Sequence, residues 1–404
     1  MKSKNRLFCY LMILALLICF ACGDPDDNEK REKDTPEDPS GPTVPLNPNN
    51  EEEADNSWGL WFGVWDWDRW TFEQVPTPAT ISPRLAAFND GAIAVLSARL
   101  LMADDVGGQG YQRAFYLSYR FDDGTWIEAK ELVRLEPGST QASIAAGEDN
   151  QLHVLFSDGG EPVHLIVKET GVASYFPQPT SFSADTSTLA SGPDGRLHAV
   201  FGEWGLSHQV FVDEQWSEVN TFERGSYPSL KFGPEGSGHL VFLSPRGMDF
   251  TDGYLLMHYA LAGNQWVGGV VMPEQVFYPS PQISVDYLGR THILAPSAQG
   301  LLYLVQDKEQ PDGWYHEVVA GDSWRTGLEY CDIITSMGIP IIAYRDAATA
   351  KGYAGWRPDG DWELGAFNGF EGGFVGIDLT LNMALVPNIV FSGWKVSETE
   401  TPFF

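Results

Sequence analysis

The chain has 404 residues, of which 55 are acidic and 25 basic, and its formal net charge is −30. Such a charge repels nucleic acid and anionic lipid headgroups, so it excludes partners that are held mainly through phosphate. We therefore expect partners that are neutral, cationic or reached through a local basic pocket. We expect no nucleic acid among them.

The N-terminus has the parts of a secretory signal peptide. Three basic residues within the first six positions precede an unbroken apolar stretch from Leu7 to Ala21. This stretch is shorter than the roughly 20 residues that a membrane-spanning helix needs. Residues 18–23 read Ile-Cys-Phe-Ala-Cys-Gly and resemble a lipobox. The resemblance implies that residues 1–21 are a lipoprotein signal peptide and that Cys22 is the lipidated residue.

The lipobox resemblance also predicts the location of the protein. It implies attachment to the cell envelope through lipid alone, and Gly23 after the lipidated residue implies the outer membrane, with the periplasmic or surface face left open. Cys19 stands where the motif usually has Leu, so cleavage without lipidation stays open as well. Residues 22–57, rich in Asp, Glu, Pro and Asn, are predicted to be a disordered, extended tether.

One sequence pattern recurs through the remaining residues, 58–404. It is a strand-like run with a histidine near its start, preceded by a Gly-, Pro- or Asp-containing turn, and a strand led by Trp closes each unit. The histidines recur at intervals of roughly 40 to 55 residues, and four short strands per unit at that period are typical of a β-propeller. The runs lie at residues 151–156, 196–201, 237–242 and 290–294.

The two ends of the chain together supply the strands of one blade. Residues 376–381 and 387–391 have the pattern of first and second strands, and residues 60–65 and 69–75 that of third and fourth strands. The simplest assembly is an all-β, seven-bladed propeller whose last blade is shared by the two ends, which hides the sheet edges and predicts a monomer. Six or eight blades are the alternatives. The other six blades begin near Pro83, Gln141, Thr186, Pro228, Pro281 and Glu329.

Two repeated residue types are interpreted as packing. The histidines align with Ala94, Ile341 and Asn388 of other units, so we expect them to be structural and hydrogen-bonded to neighbouring backbone. No zinc motif, paired Cys or EF-hand loop occurs, and we predict no metal site and no cofactor, with calcium on the acidic surface left open. Each fourth-strand Trp is expected to wedge between blades: Trp70, Trp126, Trp216, Trp266, Trp314 and Trp362.

The second-strand ends and the links from fourth to first strands are predicted to meet around one mouth of the central channel. Aromatic rings beside Arg and carboxylates suit a sugar, which stacks on Trp and bonds bidentate partners, while ordinary rim salt bridges are the alternative. The predicted ligand-binding residues are Arg99, Asp158, Glu203, Trp204, Arg246, Arg345, Asp346, Trp394, Trp324 and Arg325, and the links also offer Arg224, Tyr227 and Tyr278.

Residues 83–132 carry a family resemblance. Asp122 and Gly124 fit an Asp-box turn, in which Arg120 replaces the usual Ser. This segment resembles the first blade of sialidases and related Asp-box propellers, which are six-bladed. The His-bearing repeats look more like uncharacterised propeller lipoproteins without assigned chemistry. The sialidase resemblance implies an arginine trio of Arg99, Arg246 and Arg345, a nucleophile pair of Glu329 and Tyr330, and Asp104 or Asp105 as acid.

The sequence thus predicts an envelope-anchored, non-catalytic propeller that binds a glycan or a protein partner at its channel mouth. A sialidase-like glycoside hydrolase and a scaffold of an envelope complex are the alternatives. The catalytic alternative requires Arg99, Arg246 and Arg345 to point into one pocket above Tyr330.

Overall fold

The computed structural model describes most of the chain between residues 57 and 395. None of the described residues forms a helix of the length and apolarity that crossing a bilayer requires. The predicted signal peptide, Cys22 and the tether up to residue 56 lie outside the described residues. So do residues 67–68, 102–111, 136–141, 148–149, 159–160, 169–172, 178–185, 203–204, 223, 247–252, 264, 277–279, 308, 311–312, 322–329, 347–348, 359, 372–375 and 396–404.

Twenty-nine β-strands, and no helix, occur in the described part of the chain. The first two, β1 (Ser57–Trp65) and β2 (Trp70–Gln74), are followed by four-stranded units. The first three units are β3 (Ile81–Ala87), β4 (Ile93–Leu101), β5 (Gln112–Arg120) and β6 (Trp126–Leu135); β7 (Ala142–Ala146), β8 (Leu152–Asp158), β9 (Glu161–Val167) and β10 (Ala173–Pro177); and β11 (Ser187–Ser191), β12 (Leu197–Phe201), β13 (Leu206–Val212) and β14 (Gln215–Phe222).

Three more units and the C-terminal strands follow. Each unit is an antiparallel meander, and β18 also pairs with β20 at one position. The strands are β15 (Ser226–Phe232), β16 (Gly238–Pro245), β17 (Tyr254–Ala262) and β18 (Gln265–Val276); β19 (Gln282–Val285), β20 (Thr291–Ser297), β21 (Gly300–Gln306) and β22 (Trp314–Ala320); β23 (Cys331–Ser336), β24 (Ile339–Asp346), β25 (Lys351–Trp356) and β26 (Glu363–Ala366); and β27 (Phe370–Glu371), β28 (Ile377–Leu381) and β29 (Pro387–Lys395).

The two chain ends build the seventh blade together. Strand β28 pairs with β29, β29 pairs with β1 and β1 pairs with β2, all antiparallel. The β1–β29 register runs from Ser57 opposite Lys395 to Val64 opposite Asn388. The innermost strands β3, β7, β11, β15, β19, β23 and β28 contact one another in sequence around a closed ring. The predicted seven-bladed propeller with a shared last blade is confirmed.

The core lies between the blades. Second strands such as β20 are buried along their whole length because both of their faces pack against neighbouring blades. Each fourth-strand Trp packs against the preceding blade, as predicted: Trp126 lies 5.4 Å from Phe62, Trp314 lies 5.1 Å from His258, and Trp362 lies 5.1 Å from Tyr303, measured between ring centroids.

The repeated histidines are buried and lie in different blades, and the hydrogen bonds seen among the described residues join them to side chains rather than to the predicted backbone groups. Strand backbone is already engaged in the sheet, so each ring finds a side chain on the third strand. His153 Nδ1 lies 3.0 Å from His164 Nε2, and His292 Nδ1 lies 2.7 Å from the Tyr303 hydroxyl. The other pairs are His198–His208 at 3.0 Å and His239–His258 at 3.3 Å.

Tryptophans from adjacent blades extend two of these pairs. Trp216 Nε1 donates to His164 Nδ1 at 3.2 Å, and Trp266 Nε1 donates to His208 Nδ1 at 3.1 Å. Burial lowers the pKa of His164 and of His208 to about 3, so both rings are neutral at physiological pH. The third-strand histidines His164 and His208 therefore link neighbouring blades, and the repeated histidines form no common site among the described residues.

Candidate functional site

A cavity of about 200 Å³ occupies the centre of the ring. Every innermost strand contributes a polar side chain to it, and the next residue along each strand is a buried apolar one, since successive side chains of a strand point to opposite faces. At least one polar residue of each blade therefore faces the channel, and the residues at this repeated position form a ring. These residues are Arg84, Ser143, Thr188, Ser229, Gln282, Asp332 and Asp378.

Hydrogen bonds join these channel residues from blade to blade. Thr188 Oγ1 accepts the backbone N–H of Leu230 at 3.2 Å. Ser143 Oγ donates to the carbonyl of Ser187 at 2.7 Å. Innermost strands have an open backbone edge, and such side-chain bonds satisfy groups that would otherwise be unpaired. The channel wall is thus held in place by its own polar lining.

Two carboxyl groups meet in this wall. Asp332 Oδ2 accepts the N–H of Leu379 at 2.7 Å, Asp378 Oδ2 accepts that of Leu85, and the two carboxyls hydrogen-bond each other. Burial, reinforced by the charge of Asp378, raises the pKa of Asp332 to about 8, and burial also raises the pKa of Asp378. Adjacent carboxyls that cannot both ionise share a proton at neutral pH.

Two cations lie beside this carboxyl pair. Arg84 and Lys231 line the cavity and interact electrostatically with Asp378. Arg84 Nη1 donates to the carbonyl of Pro83 at 2.9 Å, and neither cation forms an ion pair with a carboxylate of the described residues. Elsewhere five arginines do have such partners: Arg120, Arg134, Arg196, Arg290 and Arg357.

Two tyrosines line the cavity near the ends at which the first strands begin, Tyr227 and Tyr330. Tyr227 has a φ of 56°, an uncommon conformation for a bulky residue, and its N–H donates to Thr186 Oγ1 at 3.3 Å. Burial lowers the pKa of Arg113, and its electrostatic interaction with Tyr330 opposes that effect. An arginine of β5 therefore lies near the cavity wall, which the sequence analysis did not predict.

The three arginines of the predicted trio are not among the described residues that line the cavity. Arg99 is exposed on β4, and Arg246 is exposed just after β16. Arg345 is half-buried on β24, and its backbone N–H donates to the carbonyl of Tyr330 at 3.0 Å. Among the described residues, Tyr330 lines the cavity while none of the three arginines does.

The other predicted ligand-binding residues are spread over the second-strand ends. Asp158 and Asp346 are half-buried at the ends of β8 and β24. Trp394 is 45% exposed, and its ring lies edge-on to Trp58 with centroids 5.7 Å apart. Several predicted residues lie outside the described part of the chain: Glu203, Trp204, Tyr278, Trp324, Arg325, Glu329, Asp104 and Asp105.

A second, outer groove of about 860 Å³ is lined by Trp314, Tyr315, Arg290 and Arg357 among others. Both arginines already form ion pairs with carboxylates of this chain. Its charges are therefore compensated, unlike those of the channel. Within the residues described, no group of three or more His, Cys, Asp or Glu side chains is arranged to hold a metal ion.

No family model matches the chain, and no curated protein matches it in sequence. Solved structures match it in fold. A protein of unknown function from Dyadobacter fermentans aligns with 78% of this chain and 95% of its own, at 12% identity and a TM-score of 0.47. For virginiamycin B lyase from Staphylococcus aureus these values are 83%, 99%, 10% and 0.48. For an α-L-arabinanase from Penicillium chrysogenum they are 66%, 95%, 10% and 0.44. These likenesses concern the fold alone.

Proposed function

We propose that this protein is a non-catalytic, envelope-anchored propeller that binds one sugar ring of a glycan in its central channel. The observation that carries the proposal is the ring of polar side chains, at least one from each blade, around the cavity. Pockets with several convergent polar groups are the usual binding sites of small polar ligands. The lipid anchor at Cys22 is part of the proposal, since a tethered propeller would hold its glycan at the envelope.

The size and chemistry of the cavity favour a single ring. Its volume of about 200 Å³ exceeds the ~150 Å³ of an apolar cavity that accommodates benzene. Serine hydroxyls and the Gln282 amide can each donate and accept hydrogen bonds, as sugar hydroxyls do. Ser229 Oγ donates to Gln282 Oε1 at 3.3 Å, which leaves the amide NH₂ group available to a ligand. Tyr330, which is 38% exposed and lines the cavity, is the aromatic side chain on which a sugar can stack.

The carboxyl pair favours binding over hydrolysis. Glycosidases commonly keep their two carboxyl groups about 5 to 9.5 Å apart so that a nucleophile or a water fits between them. Asp332 and Asp378 instead hydrogen-bond each other, and each also accepts a backbone N–H. A sialidase-like mechanism would require Arg99, Arg246 and Arg345 in one pocket, and the cavity lining lends it no support.

A glycan array probed with the purified full-length protein tests this proposal. We expect selective retention, which the Gln282→Ala variant weakens by about 3- to 10-fold, the effect of one lost hydrogen bond. The matched control is Gln215→Ala, because Gln215 is an exposed glutamine on β14 outside the channel. Equal retention of both variants, or no retention of the wild-type protein, would contradict a sugar site in the channel.

A further inference from the structure

We infer that the ligand of the channel is an anion, and specifically a ring acid such as a uronate, whose carboxylate lies against Lys231 and Arg84. This inference rests on the proposed channel site and names the class of its ligand. The charge of the cavity wall differs from that of the chain as a whole. The chain carries a formal net charge of −30, yet its central cavity holds two cations that have no carboxylate partner among the described residues.

The neighbouring carboxyls do not neutralise these cations fully. Asp332 and Asp378 lie in adjacent blades, hydrogen-bond each other and are desolvated, so the pair carries at most about one negative charge at neutral pH. With two cations and one shared negative charge, the cavity wall is positive. A positive wall attracts an anionic ligand.

Several arginines outside the channel have carboxylate partners, while other described cations, such as Lys351, form no ion pair with a described carboxylate. Arg120, Arg290 and Arg357 form ion pairs at 2.6 Å, 2.7 Å and 2.8 Å. Lys231 lies in the channel, exposed, and interacts electrostatically with both members of the protonated pair. Its exposed ammonium group is therefore accessible to an anionic group of a ligand in the cavity.

The remaining lining selects a ring acid over a small inorganic anion. Ser143 and Ser229 donate their hydroxyl protons within the wall, so their oxygens face the cavity as acceptors. Sugar hydroxyls can donate to such oxygens, whereas a phosphate mainly accepts hydrogen bonds. The remaining oxygens of the carboxyl pair can accept hydrogen bonds from the hydroxyls of a sugar ring. One carboxylate on a polyhydroxylated ring satisfies both parts of the wall.

The test compares D-glucuronate and D-galacturonate with D-glucose, D-galactose and inorganic phosphate by isothermal titration calorimetry on the purified full-length protein. We expect each uronate to bind at least about tenfold more tightly than its neutral parent, the effect of one hydrogen bond to a charged group. Lys231→Gln should reduce this difference to within about threefold, and Lys231→Arg should retain it. Lys351→Gln is the matched control, because Lys351 is exposed at the start of β25.

The outcomes separate this inference from the proposed function. If the neutral sugars bind as tightly as the uronates, or if Lys231→Gln weakens both equally, the anionic ligand is refuted and the sugar site stands. If phosphate binds as tightly as the uronates, the ring acid is refuted. If no sugar binds while the glycan array also shows no retention, the proposed function itself is refuted. Thermal unfolding of each variant verifies that it is folded.

Discussion

Lowering the pH from 7.5 to 5 should destabilise the folded ring, because its histidine pairs are buried in the neutral form. Burial lowers the pKa of His164, His208 and His258 to about 3, whereas an unfolded histidine titrates near 6.5. Between these two values the unfolded chain binds more protons than the folded chain. The stability that depends on these groups is therefore complete above pH 6.5 and is lost as the pH falls toward 3.

The loss of stability follows from the difference between the pH and the pKa of a histidine in the unfolded chain. At pH 5 each such histidine lowers the free energy of unfolding by about 2 kcal/mol. One histidine in each of three pairs therefore lowers it by about 6 kcal/mol. The three side chains are at most 6% exposed, so solvent screens them little. Since a folded domain has about 5 to 15 kcal/mol of stability in total, this loss brings the ring close to unfolding. The carboxyl pair has the opposite sign and does not contribute to acid lability.

Urea unfolding followed by tryptophan fluorescence, at pH values from 7.5 to 5, measures this loss. His208→Gln should reduce the pH dependence of the free energy of unfolding by about 1 kcal/mol per pH unit near pH 5.5. The exposed His316 supplies the control His316→Gln, which should leave the dependence unchanged. A free energy that stays constant from pH 7.5 to 5, or equal flattening by both variants, would refute the account of the histidine pairs.

Three further changes follow from the same contacts. The pKa of Asp332 is raised to about 8, so the stability that its protonated carboxyl contributes is lost as the pH rises through that value. Asp332→Asn should therefore lose less free energy of unfolding between pH 7 and 9 than the wild type. An equal loss would contradict the shared proton. Trp216→Phe removes a buried hydrogen bond to His164 and should lower the free energy of unfolding, measured in urea, by about 2 kcal/mol. The control Trp356→Phe removes an exposed hydrogen bond to Glu363 and should lower it by about 0 to 1 kcal/mol. Equal losses would contradict the role of the buried bond. Removal of residues 1–74 takes β1 and β2 from the seventh blade and should abolish the cooperative thermal transition, and an unchanged midpoint would show that ring closure is dispensable.

The architecture could be predicted because its signals are local. Turn residues and alternating strands repeat in every unit, and the unpaired halves at Leu60–Trp65 and Pro387–Phe391 are complementary, which led to the shared blade. The histidine partners were missed, although His164 and His208 follow their partners by a similar interval in two consecutive units. That recurrence was the available signal.

The channel lining could not be read in the same way. Which residues face the axis depends on the face of each innermost strand that points inward, and the interpretation from sequence looked at strand ends instead. Asp332 and Asp378 are far apart in sequence and meet only because the ring places their blades side by side. A polar residue followed by an apolar one, as in Asp332-Ile333 and Asp378-Leu379, recurs in the first strand of each blade and would have indicated the lining.

The most direct test of the central claim is a crystal structure of the purified protein grown with D-glucuronate. We expect electron density for the sugar in the central channel, with its carboxylate beside Lys231 and its hydroxyls near Gln282. Density in the outer groove between Trp314 and Arg357, with none in the channel at saturating sugar, would contradict the claim that the channel is the binding site.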